Sequence, residues 1–141
     1  MSEAIASYQK WLESFLSSHG AIAGTVHLQR GEDLELVAAH NIPPPVAATV
    51  RHVPRGKGMA GLAQVRKEPV QTCNLKEDDS GKIKPGAKAV DAKAAIALPV
   101  LNAQGGVRAV VGIAFMFEGE IAQERERELM AAAAQLPPES A

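Results

Sequence analysis

Cysteine is almost absent from this chain, and so are the large aromatics: 141 residues hold one cysteine, one tryptophan, one tyrosine and three phenylalanines. A single thiol, Cys73, excludes an intramolecular disulfide and a multi-cysteine zinc site, and it suits a reducing compartment. No apolar run approaches the roughly eighteen residues that a membrane span needs. The start, MSEAIASYQKW, lacks the basic and then apolar pattern of a secretory signal, so a cytoplasmic protein is expected. Charge of either sign is not in excess. Lys and Arg number 15 against 16 Asp and Glu, a formal net charge of -1, which gives no bulk attraction for nucleic acid or for an anionic membrane. Neither is an expected partner, and any recognition of charge must be local.

What is present describes an ordinary folded domain. With 46% apolar and 22% charged residues, the chain can bury a proper core, and its length fits one domain over 1–141. From Glu3 to His19 the apolar residues Ile5, Tyr8, Trp11, Leu12, Phe15 and Leu16 recur at three- and four-residue spacing, which predicts an N-terminal helix over 1–19 stopped by Gly20. AIAGTVHLQR and LELVAAHN predict two strands of a hairpin turning at Gly31. In the first, Ile22, Gly24, Val26 and Leu28 alternate with Ala23, Thr25, His27 and Gln29. Pro43, Pro44 and Pro45 then break the sheet, and VAATVRHV has room only for a brief helix before Pro54. MAGLAQVRK predicts two further helical turns, and PVQTCNL at 69–75 a third strand. Residues 76–93 are charged and punctuated by glycine and proline, the pattern of a long loop. AAIALPVL at 94–101 and VRAVVGIAFMF at 107–117 predict a second hairpin, its last strand apolar on both faces and therefore central. An alanine-rich helix over 119–136 closes the chain before Pro137 and Pro138. Strands flanked by helices indicate an α+β fold, with the sheet and a pocket spanning 21–117.

The glycine cluster in VPRGKGMAG demands a decision. Gly56, Gly58 and Gly61 satisfy GxGxxG, and Asp78 and Asp79 follow about twenty residues on, as in a dinucleotide-binding turn. That motif needs a buried strand directly before its first glycine. Here Arg51, His52, Val53, Pro54 and Arg55 precede it, Pro54 cannot donate to a ladder, and the chain is short for a doubly wound sheet.

Taken together, GTVHL and LELVAAHNIP at 24–43, VPRGKGMAGLA at 53–63, EPVQTCNL at 68–75, AIALPVL at 95–101 and VVGIAF at 110–115 resemble a GAF domain over nearly the whole chain. The resemblance implies a central antiparallel sheet of five or six strands, with the terminal helices on one face and a ligand pocket on the other. It makes the three glycines a structural turn into a helix beside that pocket. It does not supply a ligand or a cofactor, because such domains serve many ligands. Within the family, the free methionine-R-sulfoxide reductases resemble the chain in size and turn but use several cysteines. Ala60 stands at their cysteine-bearing position in the turn, and no cysteine occurs in the long loop. Cys73 alone would need an external thiol for turnover. A bilin-attachment motif around Cys73 and the signature of the cyclic-nucleotide-binding members are also missing.

The residues that remain as candidates form two groups. Arg55, Lys57 and the amides of Gly58, Met59 and Ala60, with Lys84 and Lys88 from the long loop, can hold a carboxylate or phosphate; alternatively the loop lysines only keep that segment solvated. His27, on the strand face opposite Val26 and Leu28, is either a ligand-bonding side chain or an ordinary surface or core-edge histidine. His19, His27, His40 and His52 are too scattered for a metal site. No paired carboxylates or nucleophile elbow suggest catalysis, so a non-enzymatic sensory domain that binds a small anionic metabolite is expected, its cofactor unknown; the alternatives are a degenerate sulfoxide reductase working through Cys73 and a ligand-free protein-interaction domain. Amphipathic terminal helices are expected to pair in a homodimer.

Overall fold

A computed structural model of the chain describes residues 2–72, 93–117 and 119–138. Helix α1 (Ser2–His19) buries Tyr8, Leu12, Phe15 and Leu16 along one side, as their spacing requires, and ends at Gly20, where φ is 69°. The order continues β1 (Ala23–Arg30), β2 (Asp33–His40), α2 (Pro44–Thr49), β3 (His52–Val53), α3 (Gly58–Arg66), β4 (Val70–Thr72), β5 (Ala95–Leu101), β6 (Val107–Ala114) and α4 (Gln123–Ala133). The six strands form one sheet in the order β3-β2-β1-β6-β5-β4, and every neighbouring pair is antiparallel. The α+β class, the sheet and the central place of the last strand are therefore as the sequence indicates.

The two faces of the sheet carry different side chains because strand residues alternate. One face presents Val26 and Leu28 of β1, Ile96, Leu98 and Val100 of β5, and Ala109, Val111 and Ile113 of β6 to α1 and α4; these residues and the buried sides of both helices form the largest core cluster. The close seat of α1 depends on Gly24, where an added Cβ would lie 2.9 Å from both Gly112 O and Leu16 Cδ2. Polar contacts fix the helices laterally. The Gln9 carboxamide donates to Ala39 O at 2.9 Å and accepts from Ala39 N at 3.2 Å. Arg125 donates to His19 O at 2.6 Å while its guanidinium lies 5.7 Å from the centre of the Phe115 ring.

A bulge divides β2 between the faces. Val26 pairs with Ala38 but His27 pairs with Leu36, so Val37 is the extra residue. Leu34 consequently packs under α3 while Ala38 packs under α1, although the two positions share parity along the strand.

Several boundaries differ from the sequence-based expectation, among them the last strand, expected to run to 117, which ends at Ala114, and the last helix, expected to run to 136, which ends at Ala133. The brief helix begins inside the proline run, at Pro44, because the first helical positions need no donor, and His52–Val53 is a strand paired with Leu34 and Glu35. The last helix starts at Gln123, well after position 119, because Gln71 holds the preceding segment extended: its Oε1 accepts from Ile121 N at 2.7 Å and its Nε2 donates to Ile121 O at 3.1 Å. The strand expected at 69–75 is seen as Val70–Thr72, and its remainder, with the loop at 76–92, lies outside the described residues. Among the described residues no helix is long and apolar enough to cross a membrane.

Candidate functional site

On the face away from the terminal helices, β1, β6 and β5 align in three cross-strand rows: Ala23–Ala114–Ala95, Thr25–Gly112–Ala97 and His27–Val110–Pro99. The first two rows contain nothing larger than threonine. A sheet floored by methyl groups and a bare glycine cannot fill the space beneath the next layer, and a cavity of about 150 Å³ results. Larger groups at His27 and Val110 bring it to an end, and Val110 joins Leu34, Val53 and Ala63 in a solid cluster beyond.

The roof comes from the crossover. Ile42, Val46 of α2, Val50 at its C-cap and Val53 of β3 cover one side; Lys57, Gly58, Met59 and Ala60, at the start of α3, cover the other. Met59 packs with both of the smaller apolar clusters and spans the space between them. The glycine motif is what brings the start of α3 this close. Gly56 and Gly58 adopt φ of 80° and 65°, and a Cβ on Gly61 would lie 2.7 Å from the Gly56 carbonyl carbon, so the first helical turn rests directly on the Gly56 backbone. Asp33 braces the approach, pairing with His52 at 2.9 Å and accepting from Arg55 N at 3.2 Å. Behind the helix, buried Gln64 donates to Gln29 Oε1 at 2.8 Å and to Glu32 O at 2.7 Å, tying α3 to the β1–β2 turn.

The polar content of the cavity is small and localised. The first intrahelical bond of α3 runs from Gly61 N to Lys57 O, which leaves the amides of Gly58, Met59 and Ala60 ahead of the ladder. Lys57 supplies no side-chain cap, and the first turn has no acidic residue. Lys57 lines the cavity yet is exposed, which puts it at the mouth. His27 is 3% exposed, lines the cavity, and donates from Nε2 to Val50 O at 2.8 Å. It is buried rather than at the surface, and it joins floor to roof. Among the described residues no three His, Cys, Asp or Glu side chains converge on a point that suits a metal ion.

Of the candidates named from sequence, His27, Lys57, Gly58, Met59 and Ala60 are brought together around the cavity. Arg55 is not. Gly56, at positive φ, lies between it and Lys57, and Arg55 is exposed and is not among the residues that line the cavity. Lys84, Lys88 and Cys73 lie outside the described residues. Sequence reasoning missed the floor: Ala23, Thr25, Ala95, Ala97, Gly112 and Ala114. Its signal is a period-two alternation of small with large residues, Ala95-Ile96-Ala97-Leu98 in β5 and Val111-Gly112-Ile113-Ala114 in β6.

Solved structures share this architecture. The GAF domain of a phosphoenolpyruvate-protein phosphotransferase from Acinetobacter superposes with a TM-score of 0.75 at 18% identity, over 94% of this chain and 79% of that one. The fold is that of a GAF domain. Other GAF folds that match include enzymes: a type II free methionine-R-sulfoxide reductase from Thermoplasma acidophilum, with a TM-score of 0.73 and 17% identity over 96% of this chain and 92% of that one. A free methionine-R-sulfoxide reductase from Neisseria meningitidis, solved with its substrate, gives a TM-score of 0.72 and 14% identity over 94% of this chain and 76% of that one. By sequence, no protein-family model and no curated protein matches the chain. The matching folds thus include a domain of a phosphotransferase and reductases alike, and at these identities the likeness speaks for the fold alone.

Proposed function

We propose that this GAF-fold chain is a small-molecule-binding regulatory domain whose ligand enters the cavity between the sheet and the α2–α3 crossover and carries a negative charge. The carrying observation is the cavity itself, floored by two rows of small residues and roofed by the start of α3. An anionic head fits the mouth, where Lys57 and the uncapped amides of Gly58, Met59 and Ala60 supply positive potential. Occupancy favours the arrangement in which α2 and α3 close on the ligand, and it acts on the rest of the chain only to the extent that affinity differs between arrangements. The output we propose is pairing of α1 and α4 between two copies. The apolar sides of both helices are spent on their own sheet, so such pairing uses exposed charged residues, among them Lys10, Glu13, Glu124 and Glu128. Native mass spectrometry of freshly purified protein tests the reading through an added small-molecule mass and through the dimer population. Bare-chain mass in every state, with no thermal shift from a panel of anionic metabolites, would remove it.

A second reading is a reductase of free methionine sulfoxide working through Cys73. The likeness to solved reductases favours it; with one cysteine in the chain, an external thiol must complete turnover. Turnover of methionine-R-sulfoxide with added thiol, abolished in Cys73→Ala, would establish this reading in place of the first.

A further inference from the structure

Resting on the binding role proposed above, the geometry points to a ligand class: we propose a monocarboxylate with one compact apolar body, the size of a single six-membered ring, and with Gly112 as the residue that sets that size.

Volume is the first constraint. Pockets for drug-sized ligands run to roughly 300–1,000 Å³, whereas an apolar cavity near 150 Å³ takes a molecule such as benzene. At about 150 Å³ this cavity excludes nucleotides, tetrapyrroles and other multi-ring ligands. The lining is the second constraint. Alanine, glycine, valine, isoleucine and methionine dominate it, and Lys57 is the one charged side chain among its described residues. A second charge on the ligand, whether another carboxylate, a phosphate's extra charge or an ammonium, would find no second charged partner among the described lining residues, and burying it unpaired carries a large desolvation cost. One carboxylate at the mouth, beside the exposed Lys57, leaves the hydrocarbon body for the interior.

Shape follows from the rows. Thr25, Gly112 and Ala97 form the middle of the floor, nearly flat because none rises above a hydroxyl-bearing branch. Met59 lies above, an adaptable thioether suited to the face or edge of a ring. Gly112 is the lowest point of that floor. Gly112 lines the cavity, and a Cβ there would sit 3.0 Å from Thr25 Oγ1, so a larger side chain must crowd Thr25 or extend into the cavity beside it. Its φ is not positive, so the backbone itself does not demand glycine. Two features therefore favour glycine at 112: the close Thr25 hydroxyl and the room it leaves in the cavity.

Calorimetric titration of the full chain with sodium benzoate, sodium acetate and inorganic phosphate, and an NMR titration with toluene, test this directly. Benzoate should bind with a dissociation constant of roughly 10 μM to 1 mM, in keeping with its few atoms. Acetate, phosphate and toluene should each bind at least about tenfold more weakly. Gly112→Val should weaken benzoate at least about tenfold while the circular dichroism spectrum is retained; should that variant fold poorly, Ala97→Val adds methyl groups to the same row. Acetate or phosphate binding as tightly as benzoate, and depending on Lys57, would overturn the apolar body while leaving the anion-binding role intact. Toluene matching benzoate would overturn the carboxylate. Benzoate binding untouched by both valine variants would place it elsewhere and overturn the assignment, and binding of none of the four would overturn the ligand class, while the binding role itself is decided by the native mass spectra and the metabolite panel.

Discussion

The Nε2 of His27 lies 2.8 Å from the carbonyl oxygen of Val50, so a side chain in the cavity floor holds the end of the helix that roofs it. Helix α2 needs that tether. Val46 is its one buried residue, its N-cap is Pro43 without a side-chain bond, and its C-cap is Val50 itself. Replacing His27 by leucine keeps the apolar contact but takes the donor from the part-buried Val50 carbonyl, at a cost of about 1–3 kcal/mol. Hydrogen exchange should locate the loss: amides from 46 to 53 exchange at least about tenfold faster in His27→Leu, while those of β6 are less affected. Equal acceleration across the sheet would mean that His27 supports the fold generally rather than the roof.

Gly61 offers a test with an unusual sign. Alanine in place of a helical glycine ordinarily stabilises, by up to about 1 kcal/mol. At position 61 the new Cβ would meet the Gly56 backbone at 2.7 Å, an overlap that flexible side chains cannot relieve. Gly61→Ala should therefore destabilise by about 1–3 kcal/mol in urea denaturation. A stabilised variant would show that α3 does not sit on the glycine turn as described.

Lys57 and Arg55 are two residues apart and should behave differently. Lys57→Ala is expected to weaken binding of an anionic ligand about tenfold, the loss of a charge-assisted contact. Arg55→Ala should leave affinity within about twofold, because Arg55 is exposed and does not line the cavity. Titration of both variants with benzoate checks the contrast; equal losses would point to long-range attraction rather than a contact at the mouth.

Gln71 governs where the last helix begins. Its carboxamide exchanges two hydrogen bonds with Ile121 and donates to Glu126 Oε2 at 2.8 Å. Gln71→Ala should cost about 1–3 kcal/mol and loosen residues 119–123 while β1 and β2 keep their exchange protection. Unchanged stability would show that Ile121 is held by its own burial alone.

Much of this structure is legible in the sequence because its signals are local. The spacing of Tyr8, Leu12, Phe15 and Leu16 gives α1, and the alternation through Val26 and Leu28 gives β1 and puts His27 on the other face. The two-residue strand at His52–Val53 is too short to carry a pattern, and it exists because Leu34 and Glu35 offer it an edge. The late start of α4 likewise depends on Gln71, fifty residues upstream of Ile121. The site was half visible. Lys57 to Ala60 are contiguous and announced by glycines, whereas the floor is assembled from three strands far apart in sequence, and only pairing turns their small residues into one surface.

The central claim is that a ligand lies on the small-residue floor beneath Met59. Methionines at positions 1, 59, 116 and 130 give the chain four methyl probes for carbon-13 NMR, and among them Met59 lines the cavity. On titration with benzoate, the Met59 signal should shift saturably while those of Met116 and Met130 hold still. A Met59 signal that stays fixed at millimolar benzoate, or four signals drifting together without saturation, would contradict the account.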